Sequence, residues 1–369
     1  MLVIGSLPKS LVNFRGHLIA EMQARGHNVL ASAGGKDPVT EKTLNQMGVR
    51  YIPTSLQRAG LNPFKDFLFF LDLIKIMKAE NPDIVFSYTV KPVIYGSFAA
   101  RVMNVDRIFA LITGLGFAFI EKKSIKFKIL NKIIIFLYQS SLRRVSGVFF
   151  QNQDDLAYFL ERAIIQEKSN PVRINGSGVD LEKFSEQPLG HGTTVFLMIG
   201  RLLTEKGINE FIQAAMEIKR SSLCARFAVL GQVDLNPASV KLSELYKYVK
   251  TGVIEYWGET DDVRPHLAKS TVFVLPSYRE GLPRSTLEAM ATGRPIITTD
   301  VPGCRDTVIL GENGLIVPAR DPNSLAEAMT WCIKNKSELK AMGKKSRKIA
   351  EKYFDVKIIS CHLCKVMEL

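Results

Sequence analysis

Short apolar runs rich in β-branched residues alternate with helical stretches along almost the whole sequence, and few folds accept that pattern. Residues 2–6, 28–33, 50–52, 83–87, 108–112 and 148–151 read as strands; 11–25, 39–47, 63–80, 92–102, 124–142 and 153–163 read as the helices between them. The alternation stops at 173–194, where proline, glycine, serine, asparagine and aspartate follow no sustained period. It starts again with strands at 195–199, 226–230, 253–257, 271–275, 295–299 and 315–317. Helices at 208–219, 239–249, 261–269, 284–291, 322–335 and 337–352 connect and follow them, the fifth opened by Asp321 as N-cap and Pro322 at its first position. Strands joined by helices of this length run parallel, in right-handed βαβ units that build open twisted sheets. The expected fold class is α/β, with two doubly wound domains facing a central cleft. The expected boundaries are 1–172, a linker at 173–194, 195–352, and a segment 353–369 with the option of returning to the first domain. A chain of 369 residues is long for one core, which agrees with two.

In such sheets the loops at strand carboxyl ends carry the chemistry, because helix N-termini converge there. Thr271–Leu275 reads as a buried strand, Pro276–Pro283 as a loop, Arg284–Ala291 as a helix stopped by Gly293 and Pro295, and Pro295–Thr299 as the next strand. Glu280 lies in the loop and Glu288 on the helix. Carboxylates so placed accept hydrogen bonds from the vicinal hydroxyls of a sugar; taken alone, they read more simply as one loop glutamate and one exposed helical glutamate. A third reading is a hydrolase pair acting as acid and base or nucleophile. Arg201 and Lys206, between Gly200 and Gly207, follow the first strand of the second domain and precede a helix. Two cations beside a helix N-terminus suit a diphosphate, although a loop with two solvated cations has the same sequence. No Gly-x4-Gly-Lys-Ser/Thr spacing occurs, so this is not a Walker A loop. Thr113-Gly114-Leu115-Gly116 follows a first-domain strand. It lacks the third glycine of a dinucleotide fingerprint and reads as a close backbone approach to a sugar or phosphate, or as a plain turn. Pro8-Lys9-Ser10 occupies the equivalent place after the first strand.

The net charge of +13 is uneven: residues 1–172 hold 22 Lys and Arg against 13 Asp and Glu, a net of +9. A basic first half points to polyanionic partners. Residues 122–144 contain seven cations (Lys122, Lys123, Lys126, Lys128, Lys132, Arg143 and Arg144) and no carboxylate, interleaved with isoleucine, leucine and phenylalanine. Such a helix fits docking on an anionic membrane surface; the other reading is a core helix with a solvated basic edge. The aliphatic interleaving argues against nucleic acid, which asks for stacking aromatics. No apolar run reaches the ~18 residues that span a bilayer, and the N-terminus reads as a first strand rather than a signal peptide. Five scattered cysteines fit a reducing compartment. Cys361 and Cys364 have no second pair at usable spacing, and Asp-x-Asp is absent, so neither a metal nor any other cofactor is expected.

Taken together, Gly200-Arg201…Glu205-Lys206-Gly207, Pro276-Ser277-Tyr278-Arg279-Glu280-Gly281-Leu282-Pro283…Leu287-Glu288-Ala289 and Gly293-Arg294-Pro295-Ile296 resemble the retaining GT-B glycosyltransferases of family 4. The linker Gly176-Ser177-Gly178-Val179-Asp180…Phe184 fits the same family. The opening Lys9-Ser10-Leu11-Val12-Asn13-Phe14-Arg15-Gly16, with Thr113-Gly114-Leu115-Gly116, looks like the subgroup that builds bacterial O-antigen, capsule and lipid-linked oligosaccharides. The resemblance implies two Rossmann-like domains and a nucleotide-sugar donor. Arg201 and Lys206 would hold the donor diphosphate, Glu288 the ribose, and Glu280 the transferred sugar, with Gly281 and Leu282 beside it; backbone near Trp257 would pass the base. It implies Glu280, Arg201 and Lys206 as the catalytic set, and a leaving diphosphate oxygen that takes the acceptor's proton on the same face. Ser10, Asn13, Thr113, Gly114 and Gly116 would line the acceptor or donor-sugar loop. Many relatives carry a histidine in that first-domain loop; Leu111–Gly116 has none, leaving Thr113 or backbone in its place. The implied activity moves a hexose or N-acetylhexosamine from a UDP-sugar to a polyprenyl-diphosphate-linked sugar. The expected location is the cytoplasm, peripheral on the inner face of the membrane. A GDP-sugar donor, a soluble acceptor, or hydrolysis by Glu280 and Glu288 are the alternatives.

Overall fold

The computed structural model describes residues 1–58, 60, 62–115, 125–234 and 239–369, with Lys126 by its backbone alone. The chain forms two compact units, Met1–Ser177 together with Val356–Leu369, and Gly178–Asp355.

The first unit runs β1 (Leu2–Ile4), α1 (Pro8–Asn13), α2 (Gly16–Ala24), β2 (Leu30–Gly34), α3 (Pro38–Gln46), β3 (Arg50–Thr54), α4 (Pro63–Glu80), β4 (Ile84–Tyr88), α5 (Val90–Val102), β5 (Arg107–Ile112), α6 (Ile125–Ser141), β6 (Gly147–Phe150), α7 (Gln153–Glu161) and β7 (Pro171–Arg173). Its parallel sheet has the order β3-β2-β1-β4-β5-β6-β7, with Val3 opposite Ala31 on one side and Phe86 on the other. The second unit runs β8 (Thr194–Ile199), α8 (Ile208–Arg220), β9 (Ala225–Leu230), α9 (Leu242–Lys250), β10 (Glu255–Tyr256), α10 (Arg264–Lys269), β11 (Val272–Leu275), α11 (Arg284–Ala291), β12 (Ile296–Thr299), β13 (Gly314–Val317), α12 (Pro322–Lys334) and α13 (Lys336–Tyr353). Its sheet, also parallel, has the order β10-β9-β8-β11-β12-β13. A last helix, α14 (Val356–Val366), belongs to the first unit.

Both sheets are buried on two faces, and the pleat sorts their side chains. Leu2 and Ile4 pack with Phe69, Leu73, Val93 and Tyr138 of α4, α5 and α6, whereas Val3 packs with Leu11, Leu18 and Met22 of α1 and α2 and with Ile359 and Leu363 of α14. In the second unit Phe196 and Met198 meet α8 and α12, while Leu197 and Ile199 meet α11 and α13.

Three local outcomes bear on function. Residues 63–80 form one helix with the expected bounds, opened by Asn62, whose side chain accepts from Phe64 and Lys65 N–H. Asp321 caps α12 as expected, accepting from Asn323 and Ser324 N–H. The single helix expected over 11–25 is instead two. Pro8 starts α1 early, and the chain turns at Phe14 and Arg15 before Gly16 opens α2. That break turns Arg15 inward, where it is 2% exposed and its guanidinium lies 4.8 Å from the Tyr88 ring centroid.

Candidate functional site

In the second sheet β8 lies between β9 and β11, so strand order reverses there and the carboxyl ends of β8 and β11 border a crevice. Two loops begin at that point. Residues 200–207 leave β8, pass through a 3-10 turn at Thr204–Lys206 and enter α8, while residues 276–283 leave β11 and enter α11. The loops pack backbone against backbone. Gly207 has φ +76°, and a Cβ there would stand 2.0 Å from the Pro276 carbonyl oxygen, so only glycine fits. Tyr278 N–H donates to Glu205 O at 2.9 Å, and the Tyr278 hydroxyl donates to Glu210 Oε1 at 2.7 Å.

This packing delivers Lys206 to Glu280. Lys206 Nζ donates to Glu280 Oε1, and Ser277 Oγ donates to the same oxygen at 2.7 Å. The two charged side chains are only 19% and 12% exposed, so water screens them weakly. Glu280 N–H donates to Pro302 O at 3.1 Å, which fixes the loop carrying the carboxylate. Gly303 lies against the carbonyls of Glu280 and Gly281, with room for no side chain. Leu282 is 8% exposed and sits in the core with Leu287 and Val301; what it offers a ligand is its backbone.

The other expected cation, Arg201, turns to a different carboxylate. Its Nη1 donates to Asp234 Oδ2 at 2.6 Å, and Asp234 N–H donates to Ser239 Oγ at 3.1 Å. Gly200 and Gly231 touch, since a Cβ on Gly231 would stand 1.7 Å from the Gly200 carbonyl oxygen. Glu288 pairs within α11, accepting from Arg284 Nε at 2.9 Å, with side chains 21% and 13% exposed for Arg284 and Glu288. Trp257 Nε1 donates to Glu255 Oε2 at 2.9 Å, and its ring lies 5.5 Å from that of His266. Neither α8 nor α11 has a side-chain N-cap, so the positive ends of two helices border the crevice.

Burial raises the Glu288 carboxyl above its ordinary 4.5, against the opposing pull of Arg284. A folded value above the unfolded one means stability present at low pH and lost as pH rises through the folded value. Glu288→Gln, which does not titrate, is therefore expected to gain stability relative to wild type between pH 4 and pH 8, as read by urea unfolding at both. A wild type that gains on the variant over that range would reverse the assigned sign.

In the first unit Ser10 Oγ lies 2.7 Å from the Tyr88 hydroxyl, whose titration is pushed up to about 12 by burial. Asn13 is exposed at the end of α1. Thr113 and Gly114, the latter with φ +113°, follow β5, and Gly116 lies outside the described residues. Of the basic segment, Lys128, Lys132, Arg143 and Arg144 are exposed; Lys122, Lys123 and the Lys126 side chain lie outside the described residues. The structure thus brings Lys206 and Glu280 together and puts Arg201 and Glu288 each on another partner. The sequence alone does not single out Asp234, Ser277 or Arg284. Ser277 and Arg284 lie inside the quoted motifs, whereas Asp234 is 33 residues from Arg201 with no local signal.

Two family descriptions match the chain, "Glycosyl transferases group 1" over residues 193–335 and "Glycosyl transferase 4-like" over residues 10–152. The Campylobacter jejuni N,N'-diacetylbacillosaminyl-diphospho-undecaprenol alpha-1,3-N-acetylgalactosaminyltransferase is 29% identical, over 97% of this chain and 96% of that one. The Escherichia coli UDP-Gal:alpha-D-GlcNAc-diphosphoundecaprenol alpha-1,3-galactosyltransferase is 28% identical, over 82% and 78%. Among solved structures, Anabaena HepE in complex with UDP superposes with a TM-score of 0.78 at 17% identity, covering 100% of this chain and 99% of that one. Sucrose-phosphate synthase from Thermosynechococcus elongatus gives 0.81 at 18%, covering 100% and 98%. The two matched segments fall in different units, take in most of the chain, and include the loops that carry Arg201, Lys206 and Glu280 and the helix that carries Glu288, so the chain belongs to the group 1, family 4-like glycosyltransferases of GT-B fold.

Proposed function

We infer that this enzyme moves a hexose or N-acetylhexosamine from a UDP-sugar, with retention, to a sugar carried on a polyprenyl diphosphate at the inner face of the cell membrane. The observation that carries the reading is the Lys206–Glu280 contact at the β8–β11 switch point. A cation and a carboxylate held there side by side suit the two parts of a nucleotide sugar, its diphosphate and its hydroxyls. Arg201 and the open helix ends add positive potential, and Glu288 offers an acceptor for ribose. The relatives from C. jejuni and E. coli are named for undecaprenol-diphosphate-linked substrates, and the second for a UDP-galactose donor, which supports the acceptor and donor classes.

In the reaction the anomeric carbon–oxygen bond to the diphosphate breaks and a bond to the acceptor oxygen forms. The acceptor's proton passes to a phosphate oxygen on the same face. Negative charge grows on the leaving group, and fixed cations stabilise it most in the transition state. Lys206 then exchanges Glu280 for phosphate, and the carboxylate is left to a hydroxyl of the sugar.

Among the described residues no helix is long and apolar enough to cross a membrane. The α6 helix nevertheless turns a second apolar stripe outward, with Ile125, Ile129, Ile133 and Phe136 exposed by 74, 53, 51 and 64%. Lys128 and Lys132 lie within that stripe, while Tyr138 on the opposite face is buried. On α4, which covers the same face of the sheet, Phe64 and Phe67 are 68% and 53% exposed. Apolar and basic side chains together fit a peripheral hold on an anionic bilayer. The test is a donor screen with membrane lipid extract as acceptor, read by release of nucleoside diphosphate. Turnover with a UDP-sugar is expected; release only from GDP-sugars, or with soluble acceptors alone, would replace this reading.

A further inference from the structure

A pocket of about 530 Å³ lies at the carboxyl ends of α5 and α6, lined by Arg101, Phe136, Gln139, Ser140, Arg143 and Arg144. Three guanidinium groups from two elements line it: Arg101 from the last turn of α5, and Arg143 and Arg144 from the 3-10 turn Leu142–Arg144 that follows α6. Arg101 is fixed, its Nη1 donating to Ser140 O at 2.8 Å and its guanidinium lying 5.0 Å from the Phe98 ring centroid. That one arginine reaches a helix-end carbonyl, the ordinary use of a cation at such a place. Arg143 and Arg144 are beyond that need. Both are exposed, and neither has an ion-pair partner among the described residues. Residues 122–144 contain no carboxylate to offer one. Phe136 forms the apolar wall and is 64% exposed. From it the stripe of Ile133, Ile129 and Ile125 continues along α6.

We propose that this pocket seats the phosphate of an anionic phospholipid, with its acyl chains lying along Phe136 and the α6 stripe. The proposal rests on the membrane reading above and adds to it a headgroup site for a lipid that the reaction does not consume. Charge selects the phosphate, since guanidinium forks bind it bidentately where lysine is only a point charge. The apolar stripe selects the lipid, because a free phosphate has nothing to lay against Phe136 and three isoleucines. The volume lies within the ~300–1,000 Å³ of small-molecule sites, enough for a phosphoglycerol head.

The experiment is vesicle flotation of the full chain, with pure phosphatidylcholine against phosphatidylcholine containing phosphatidylglycerol. Three variants are compared with wild type: R143K/R144K, R143Q/R144Q and K128Q/K132Q. Wild type is expected to float only with the anionic vesicles. R143K/R144K keeps every charge and is expected to weaken partitioning by about 5- to 10-fold, the share that depends on the guanidinium fork. R143Q/R144Q is expected to lose more than K128Q/K132Q, although both remove two charges. Unaltered flotation of R143K/R144K, or equal losses in the two glutamine pairs, would overturn the pocket and leave diffuse charge attraction. Wild type that floats with neither vesicle would remove the membrane reading itself. Inorganic phosphate that displaces the protein from anionic vesicles at constant ionic strength supports the site; phosphate that raises the melting temperature of a wild type that does not float overturns the lipid as occupant. All four side chains are exposed, so melting temperatures are expected to agree and to show that each variant is folded.

Discussion

Lys206→Met is expected to lower kcat by about 10²–10³-fold with a smaller loss of UDP affinity, the size seen when one preorganised group stabilising transition-state charge is removed. The reason lies in what Lys206 touches. In the unliganded chain its ammonium rests on Glu280, in a site that water reaches poorly. A diphosphate entering beside it carries charge already, and gains more as the glycosidic bond parts. The cation therefore serves the transition state more than the bound donor. A structural role must be separated from this one, because the variant also strips Glu280 of its cation. The double-mutant cycle with Glu280→Gln makes the separation. If Lys206 acts only by holding Glu280, its loss on the Glu280→Gln background costs nothing further in kcat. If it meets the leaving group, a second loss of about 10²-fold remains. The first outcome would remove Lys206 from the catalytic set.

The elements of both sheets were legible because their signal is local. A short apolar run rich in β-branched residues and bounded by turn residues reads as a buried strand, and an 18-residue stretch of mixed apolar and charged residues opened by Asn62 and Pro63 reads as a helix, each from its own window. The α1–α2 break was not legible. Residues 11–25 read as one helix from local signals, whereas the partner of the turned-in Arg15, the Tyr88 ring, is 73 positions away in sequence. Site residues divided in the same way. The loops at the ends of β8 and β11 follow from glycine, proline and strand order, so Lys206 and Glu280 are legible as site residues in the sequence itself. Their pairing, and that of Arg201 with Asp234, depends on which strands lie side by side. A parallel sheet sets that only through long crossovers. The outward stripe on α6 was hidden for a simpler reason: isoleucine and phenylalanine occur all round that helix, and periodicity alone does not say which face the sheet takes.

Arg294→Met is expected to destabilise the second unit by roughly 3–5 kcal/mol, at the top of the range for a single substitution. Arg294 appeared in sequence as part of the Gly293-Arg294-Pro295-Ile296 signature, with no role of its own. The structure buries it completely. Its Nη1 donates to Ser270 O at 2.8 Å, and its Nη2 to Gln187 O at 2.6 Å and Pro188 O at 3.1 Å. One guanidinium thus ties the segment before β8, the turn before β11 and the start of β12 into a single seam. Burial pushes its titration down to about 10, still far above neutrality, so the group remains charged and its three acceptors remain satisfied at working pH. Methionine fills most of the volume and supplies no donor, leaving the buried Ser270 carbonyl without a partner at ~1–3 kcal/mol and cutting the part-buried carbonyls of Gln187 and Pro188 loose from the seam. Thermal unfolding should show the loss as a fall of roughly 10 °C. Arg294→Lys is expected to recover only part of it, because one ammonium lacks the fork that spans all three carbonyls. A melting temperature within about 2 °C of wild type for the methionine variant, well inside the expected fall, would show that the seam is held by β8, β11 and β12 themselves and that Arg294 is dispensable to it.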